Sequence, residues 1–112
     1  MSKRKDSEAD PLPGRPVRGS ESGRPVMAAL DLLGRRWTLR ILWELHQQPD
    51  GFRGLQARCD GMSSSVLATR LNELSSARLV EGGYRLTRLG EDLVEAMGPM
   101  VEWSRRWADE LT

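Results

Sequence analysis

Between Ser63 and Ser76 the sequence runs SSSVLATRLNELSS, a stretch rich in side chains that can read hydrogen-bonding edges. Wound at about 100° per residue, it puts Leu67, Leu71 and Leu74 on one side of a helix and Ser65, Thr69, Asn72 and Ser76 on the other. That second side is short, polar and free of acidic groups, so it can enter a DNA major groove about 12 Å wide without repelling phosphates. Asn72 carries an amide of the kind that can pair with adenine, and the hydroxyls of Ser65 and Thr69 can bond base edges or phosphates. An ordinary amphipathic surface helix shows the same periodicity, so the choice between the two turns on the elements around it.

No other grouping offers chemistry of its own. There are no paired carboxylates around a histidine, no nucleophile with a base, no phosphate-cradling loop and no cluster at metal-ligand spacing; neither an enzyme nor a cofactor or metal is expected. His46 reads as a helix-end residue favoured by the helix dipole. Cys59 is the one cysteine, so there is no internal disulfide framework, and a buried or incidental thiol is expected there.

The elements that position the 63–76 stretch must fit into 112 residues, 38% of them hydrophobic, which is enough for one domain with a modest core. No apolar run is long enough to cross a bilayer and the polar N-terminus has no signal-peptide pattern, so a soluble cytoplasmic protein is expected. Residues 1–24, rich in Pro, Gly, Ser and charge, are expected to be a disordered tail, with residues 25–112 forming the domain. Lys3-Arg4-Lys5 in that tail can add non-specific phosphate contacts or simply keep the chain in solution. The net charge of +1 hides an asymmetry: residues 25–88 hold nine basic and six acidic groups, whereas residues 89–112 hold two and six.

Pro25 suits the first turn of a helix in which Val26, Leu30 and Leu33 recur up to Gly34. A second helix, Trp37 to Gln47, aligns Trp37, Ile41 and Leu45 with Leu42 beside them, and leaves Trp43 off that line as surface, dimer contact or pocket wall. Gln48-Pro49-Asp50-Gly51 is a turn, Phe52-Arg53 a possible very short edge strand, and Gly54 to Cys59 a short helix carrying Leu55 inward. After the Asp60-Gly61 turn, Ser63 or Ser64 caps the reading helix, which completes a helix-turn-helix pattern. Leu79-Val80-Glu81 and Tyr84-Arg85-Leu86 flank Gly82-Gly83 as a minimal hairpin on a type I′ turn, a stubby wing. Thr87 caps a last helix with Leu89, Leu93 and Met97; Gly98-Pro99 interrupts it before Met100, Trp103, Trp107 and Leu111. The fold class is thus mainly α with a small β-hairpin, a winged helix-turn-helix.

These pieces, in this order, resemble the HxlR-type winged helix-turn-helix regulators, a group related in fold to the MarR regulators. The resemblance rests on ALDLLGRRWTLRIL (Ala29 to Leu42), GFRGL (Gly51 to Leu55), SSSVLATRLNEL (Ser63 to Leu74), ARLV (Ala77 to Val80) and YRLTRLGEDL (Tyr84 to Leu93), followed by Trp103. It implies a homodimer, joined through its N- and C-terminal helices, on double-stranded DNA with a palindromic or near-palindromic operator, repressing or activating nearby genes. Val26, Leu30, Leu33, Met100, Trp103, Trp107 and Leu111 are the interface candidates; a monomer would fold them into its own core. The DNA-facing candidates are Ser63, Ser64, Ser65, Thr69, Arg70 and Asn72. Arg53, Arg85 and Arg88 are phosphate candidates or solvated charges. Arg70, about 60° from the leucine stripe, either reaches a phosphate or braces the fold through a carboxylate.

Three departures from the family pattern bear on function. Ser65 and Thr69 stand where many members have Lys or Gln, which implies a shallower salt dependence. The wing is reduced, which puts its minor-groove contact in doubt. Arg24 occupies the position where some relatives carry a sensing cysteine, so thiol sensing is not carried over to Cys59. The fold leaves room for a small-molecule effector between the reading heads and the dimer helices, with Trp43, Trp103 and the methionines either as its pocket wall or, the commoner case, as packing. The alternative to a DNA-binding regulator is a winged-helix protein-interaction module that has lost specific DNA binding.

Overall fold

The computed structural model describes residues 10–82 and 84–112. It comprises α1 (Pro25–Leu33), α2 (Thr38–Gln47), α3 (Phe52–Arg58), α4 (Ser64–Ser76), β1 (Val80–Glu81), β2 (Arg85–Leu86), α5 (Arg88–Ala96) and α6 (Gly98–Leu111). This is a winged helix-turn-helix, mostly helical with one antiparallel hairpin.

The hub is α2, which packs against α1, α3, α5 and β2. Its apolar residues recur at helical spacing, and Ile41, Leu42 and Leu45 are buried together with Leu55 of α3 and Leu67, Leu71 and Leu74 of α4. Each such side chain contributes about 1.5–3 kcal/mol through removal from water. The helix begins after Trp37, which sits in the left-handed region at φ 77°, and ends as Gln48 turns extended ahead of Pro49.

The hairpin differs from the expected one. Val80 pairs with Leu86 and Glu81 with Arg85, so three residues, 82–84, connect two-residue strands. Tyr84 takes the left-handed conformation (φ 50°), as the closing residue of three-residue loops commonly does; the type I′ turn expected over Gly82-Gly83 rests on Gly83. Gly83 itself lies outside the described residues. The Tyr84 ring meets Phe52 at 6.4 Å between centroids, a packing contact that favours this register. Phe52 and Arg53 open α3 rather than forming an edge strand, because a strand needs a ladder partner and the described sheet is β1 and β2 alone.

Residues 10–24, part of the segment expected to be a disordered tail, carry local bonds. Gly14 N–H donates to the Gly23 carbonyl at 3.0 Å, Val17 and Ser20 exchange backbone bonds, and the Ser20 hydroxyl accepts from the N–H groups of Gly23 and Arg24. The segment is short of apolar residues, but Pro11, Leu12 and Pro13 meet an apolar cleft built by α1 and α5, and Pro11 is buried. Lys3, Arg4 and Lys5 lie outside the described residues.

Thr87 starts α5 as expected: its hydroxyl accepts from Gly90 N–H at 3.1 Å and donates to the Arg78 carbonyl at 2.7 Å. Gly90 then lies so close to β1 that a Cβ there would stand 2.3 Å from the Leu79 carbonyl oxygen. Gly98, with Pro99 beside it, separates α5 from α6 and has open space around it. Gly90→Ala is therefore expected to lower stability by about 1–3 kcal/mol. Gly98→Ala should be neutral or stabilising by up to about 1 kcal/mol. Urea unfolding at one fixed protein concentration separates the two; equal effects would contradict this packing of α5.

Candidate nucleic-acid interface

The helix-turn-helix consists of α3, a turn over residues 59–63 and α4. Asp60 (φ 59°) and Gly61 (φ 68°) turn the chain through the left-handed region, as Asp-Gly favours. The Ser63 hydroxyl accepts from Val66 N–H at 3.1 Å and so caps α4. From α3, the Gln56 amide donates to the Met62 carbonyl at 2.8 Å and to the Ser64 hydroxyl at 3.0 Å, tying the two helices across the turn.

A lattice of charges fixes α3 to α2. Arg40 bonds Glu44 at 2.8 Å, Asp60 at 3.1 Å and the Arg58 carbonyl at 2.7 Å. Arg58 in turn reaches Asp50 at 3.2 Å and the Glu44 carboxylate at 3.3 Å, and also donates to the Glu44 carbonyl. The hydrogen bond that Arg40 donates to Glu44 raises its pKa above the ordinary value. The sequence reading missed the lattice; Arg40 and Glu44, four apart on α2, were its one local sign.

On α4 the three leucines face inward, while Ser65, Thr69, Asn72 and Ser76 are exposed, as are Ser63 and Ser64 at its start. Arg53, Arg85 and Arg88 are exposed on α3, β2 and the first turn of α5. Asp10 lines, with Thr69, Asn72 and Ser76, a concavity of about 240 Å3. The N-terminal segment thereby brings to the far half of this face an acidic group that the face itself lacks.

Arg70 leaves the set of DNA-facing candidates. Its Nε donates to the Arg36 carbonyl at 2.7 Å, and its Nη1 lies 3.2 and 3.3 Å from the two carboxylate oxygens of Glu73. Glu73 is only 3% exposed and also accepts from Arg35 Nη1 at 2.7 Å. The arginine braces the fold, the second of the two roles its place on the helix allowed.

Among the interface candidates, Val26 and Leu30 on α1 are exposed, as are Met100, Trp103, Trp107 and Leu111 on α6. Leu33 is instead half-buried against the core, one step round α1 from the buried Leu32. No residue of α6 is buried, and the rings of Trp103 and Trp107 stack at 5.5 Å. The apolar cleft of about 420 Å3 lies between the N-terminal segment, α1 and α5, and neither Trp43 nor Trp103 lines it. His46 does more than end α2: its Nδ1 lies 2.9 Å from Glu91 Oε2 and so links α2 to α5. Among the described residues there is no group of three or more side chains fit to hold a metal, and no helix is long and apolar enough to cross a membrane.

Comparison with known proteins places these features in a lineage. The family model described as HxlR-like helix-turn-helix matches residues 32–112. An HTH-type transcriptional regulator of Methanocaldococcus jannaschii is 28% identical over 90 residues, covering 74% of this chain and 85% of that protein. A Bacillus subtilis regulator of the same description, YvaP, is 29% identical over 91 residues, covering 72% and 84%. The crystal structure of quinone-bound YodB from B. subtilis superposes with a TM-score of 0.62 at 30% identity, over 77% of this chain and 96% of that one.

Cys59 is fully buried beside the turn, and desolvation pushes its thiol pKa up. The raised value has a fixed sign: stability from the neutral thiol is full below the unfolded pKa, roughly 8.5, and is lost as pH rises through the folded one. A thiol reagent at neutral pH is expected to label Cys59 in denaturant and to leave it largely unlabelled in the folded protein. Rapid labelling of the native protein would contradict this burial.

Proposed function

Since the chain belongs to the HxlR-like helix-turn-helix family of DNA-binding transcription regulators, we propose that it binds a near-palindromic operator as a homodimer and controls nearby genes. The observation that carries this reading is the state of α4, whose leucines are buried while Ser65, Thr69 and Asn72 stay exposed on the opposite side. In the complex Asn72 pairs with a base edge, Thr69 and Ser65 bond bases or phosphates, and Ser63 and Ser64 meet the backbone at the helix N-terminus. Arg53, Arg85 and Arg88 are the phosphate contacts flanking them.

The second copy covers the apolar faces of α1 and α6. Val26, Leu30, Met100, Trp103, Trp107 and Leu111 are large apolar side chains left exposed, which a second copy would remove from water. A two-fold axis through these helices sets the reading helices about 34 Å apart, one turn of duplex. The related B. subtilis structure is of a quinone-bound protein, and a small-molecule effector belongs to this proposal; the cleft beside α1 has the volume and apolar walls for one. The protein acts in the cytoplasm.

The test is binding to the DNA upstream of the protein's own gene against random duplex at physiological salt. A preference of about a thousandfold or more is expected. Substituting Glu at both Asn72 and Thr69 should abolish it without unfolding the protein. No preference over random duplex would end this reading and favour a protein-interaction module, whose activity those two substitutions would leave intact. Trp103→Glu with Trp107→Glu should give a monomer by sedimentation and weaken operator binding at least tenfold; a dimer that persists would move the interface elsewhere.

A further inference from the structure

Glu73 directly follows Asn72 in the chain, yet it points into the protein, where its carboxylate joins two guanidiniums. One belongs to Arg35, in the connection between α1 and α2; the other belongs to Arg70, one turn back on α4. Arg70 also holds the carbonyl of Arg36. Two separate bonds thus lash the middle of α4 to the connection over residues 34–37, and the Arg70–Glu73 pair within α4 joins them. That connection is itself fixed: Arg35 N–H donates to the Leu32 carbonyl, Thr38 N–H to the Arg35 carbonyl, and Trp37 is held at φ 77°.

As a source of stability such a cluster is poor, because the desolvation of buried charges offsets much of their attraction and apolar side chains of similar volume often do as well. Direction is different. Leucines packed in a core tolerate small rotations of a helix, whereas charged hydrogen bonds approaching one carboxylate from two elements do not. Reading base edges needs side chains held within about 0.5 Å and 10–20° of the productive geometry. Asn72 and Thr69 are the neighbours of the two α4 residues so held.

We propose that Glu73, with Arg35 and Arg70, is the positioning set of the reading helix: it fixes the rotation of α4 about its own axis and so determines operator preference, not general affinity for DNA. The inference rests on the operator-binding reading above. None of the three side chains touches DNA.

The test uses the full chain. Arg35, Arg70 and Glu73 are all changed to Met, which keeps volume, removes the bonds and alters the net charge by one. Operator and random duplex are titrated across a salt series, with thermal melting and sedimentation as controls for fold and assembly. The triple variant is expected to fold and assemble as the parent does and to bind random duplex within about threefold, with an unchanged salt slope. Its operator preference should fall at least tenfold, with Glu73→Gln intermediate. A folded triple variant whose preference stays within twofold of the parent overturns the proposal. So does a salt slope smaller by about one, the mark of a lost phosphate contact. If the triple variant does not fold, Glu73→Gln and Arg35→Lys carry the same test, and a preference within twofold in either folded variant overturns it. A parent protein with no operator preference fails at the first titration; that result overturns the operator-binding reading and this inference with it, before any variant is compared.

Discussion

Everything outward-facing on α4 depends on what its inner side buries. Leu67 and Leu74 are fully buried and Leu71 nearly so, each within the same core as Ile41, Leu42 and Leu45 of α2. A helix with that stripe can pack in only one rotational sense without exposing leucine to water, so the polar face is turned outward by the hydrophobic effect before any specific bond forms. Hydrogen bonds then refine what burial has chosen. Ser63 sets where the helix starts, Gln56 sets its angle to α3, and Glu73 ties its middle to the α1–α2 connection.

The charged lattice around Arg40 and Arg58 has a related part. It links α2, α3 and the turn that feeds α4, and so fastens the helix-turn-helix to the core. Cys59 lies buried inside this joint, where a charged thiolate would be disfavoured, so it serves as a small packing residue. The far end of the molecule is built on other terms. α6 leaves the body after Gly98-Pro99 with no buried residue and a stacked tryptophan pair on its surface, an arrangement that makes physical sense once a second apolar surface covers it.

Local signals were readable and long-range ones were not. The leucine stripe, the Ser63 and Thr87 caps, the Asp60-Gly61 turn and the break at Gly98-Pro99 each depend on residues within a turn or two of one another, and each stands where the sequence put it. Arg35, one partner of Glu73, is 38 positions away, and periodicity on α4 could only mark Arg70, the other, as ambiguous. Gly82-Gly83 is a strong two-residue turn signal, but the Phe52–Tyr84 contact accompanies a register in which Tyr84 closes a three-residue loop. Residues 10–24 look too polar to order themselves; their apolar trio finds a cleft that only the assembled α1 and α5 create. The same distance rule hid Asp10 from the reading face it approaches.

In the proposed complex two copies present their α4 faces to successive major grooves on one side of a duplex. Hydroxyl-radical footprinting of the bound upstream DNA tests it most directly. The account predicts two related protected patches, offset by about ten base pairs and lying on the same face of the helix. A single patch, or two patches on opposite faces, would contradict it.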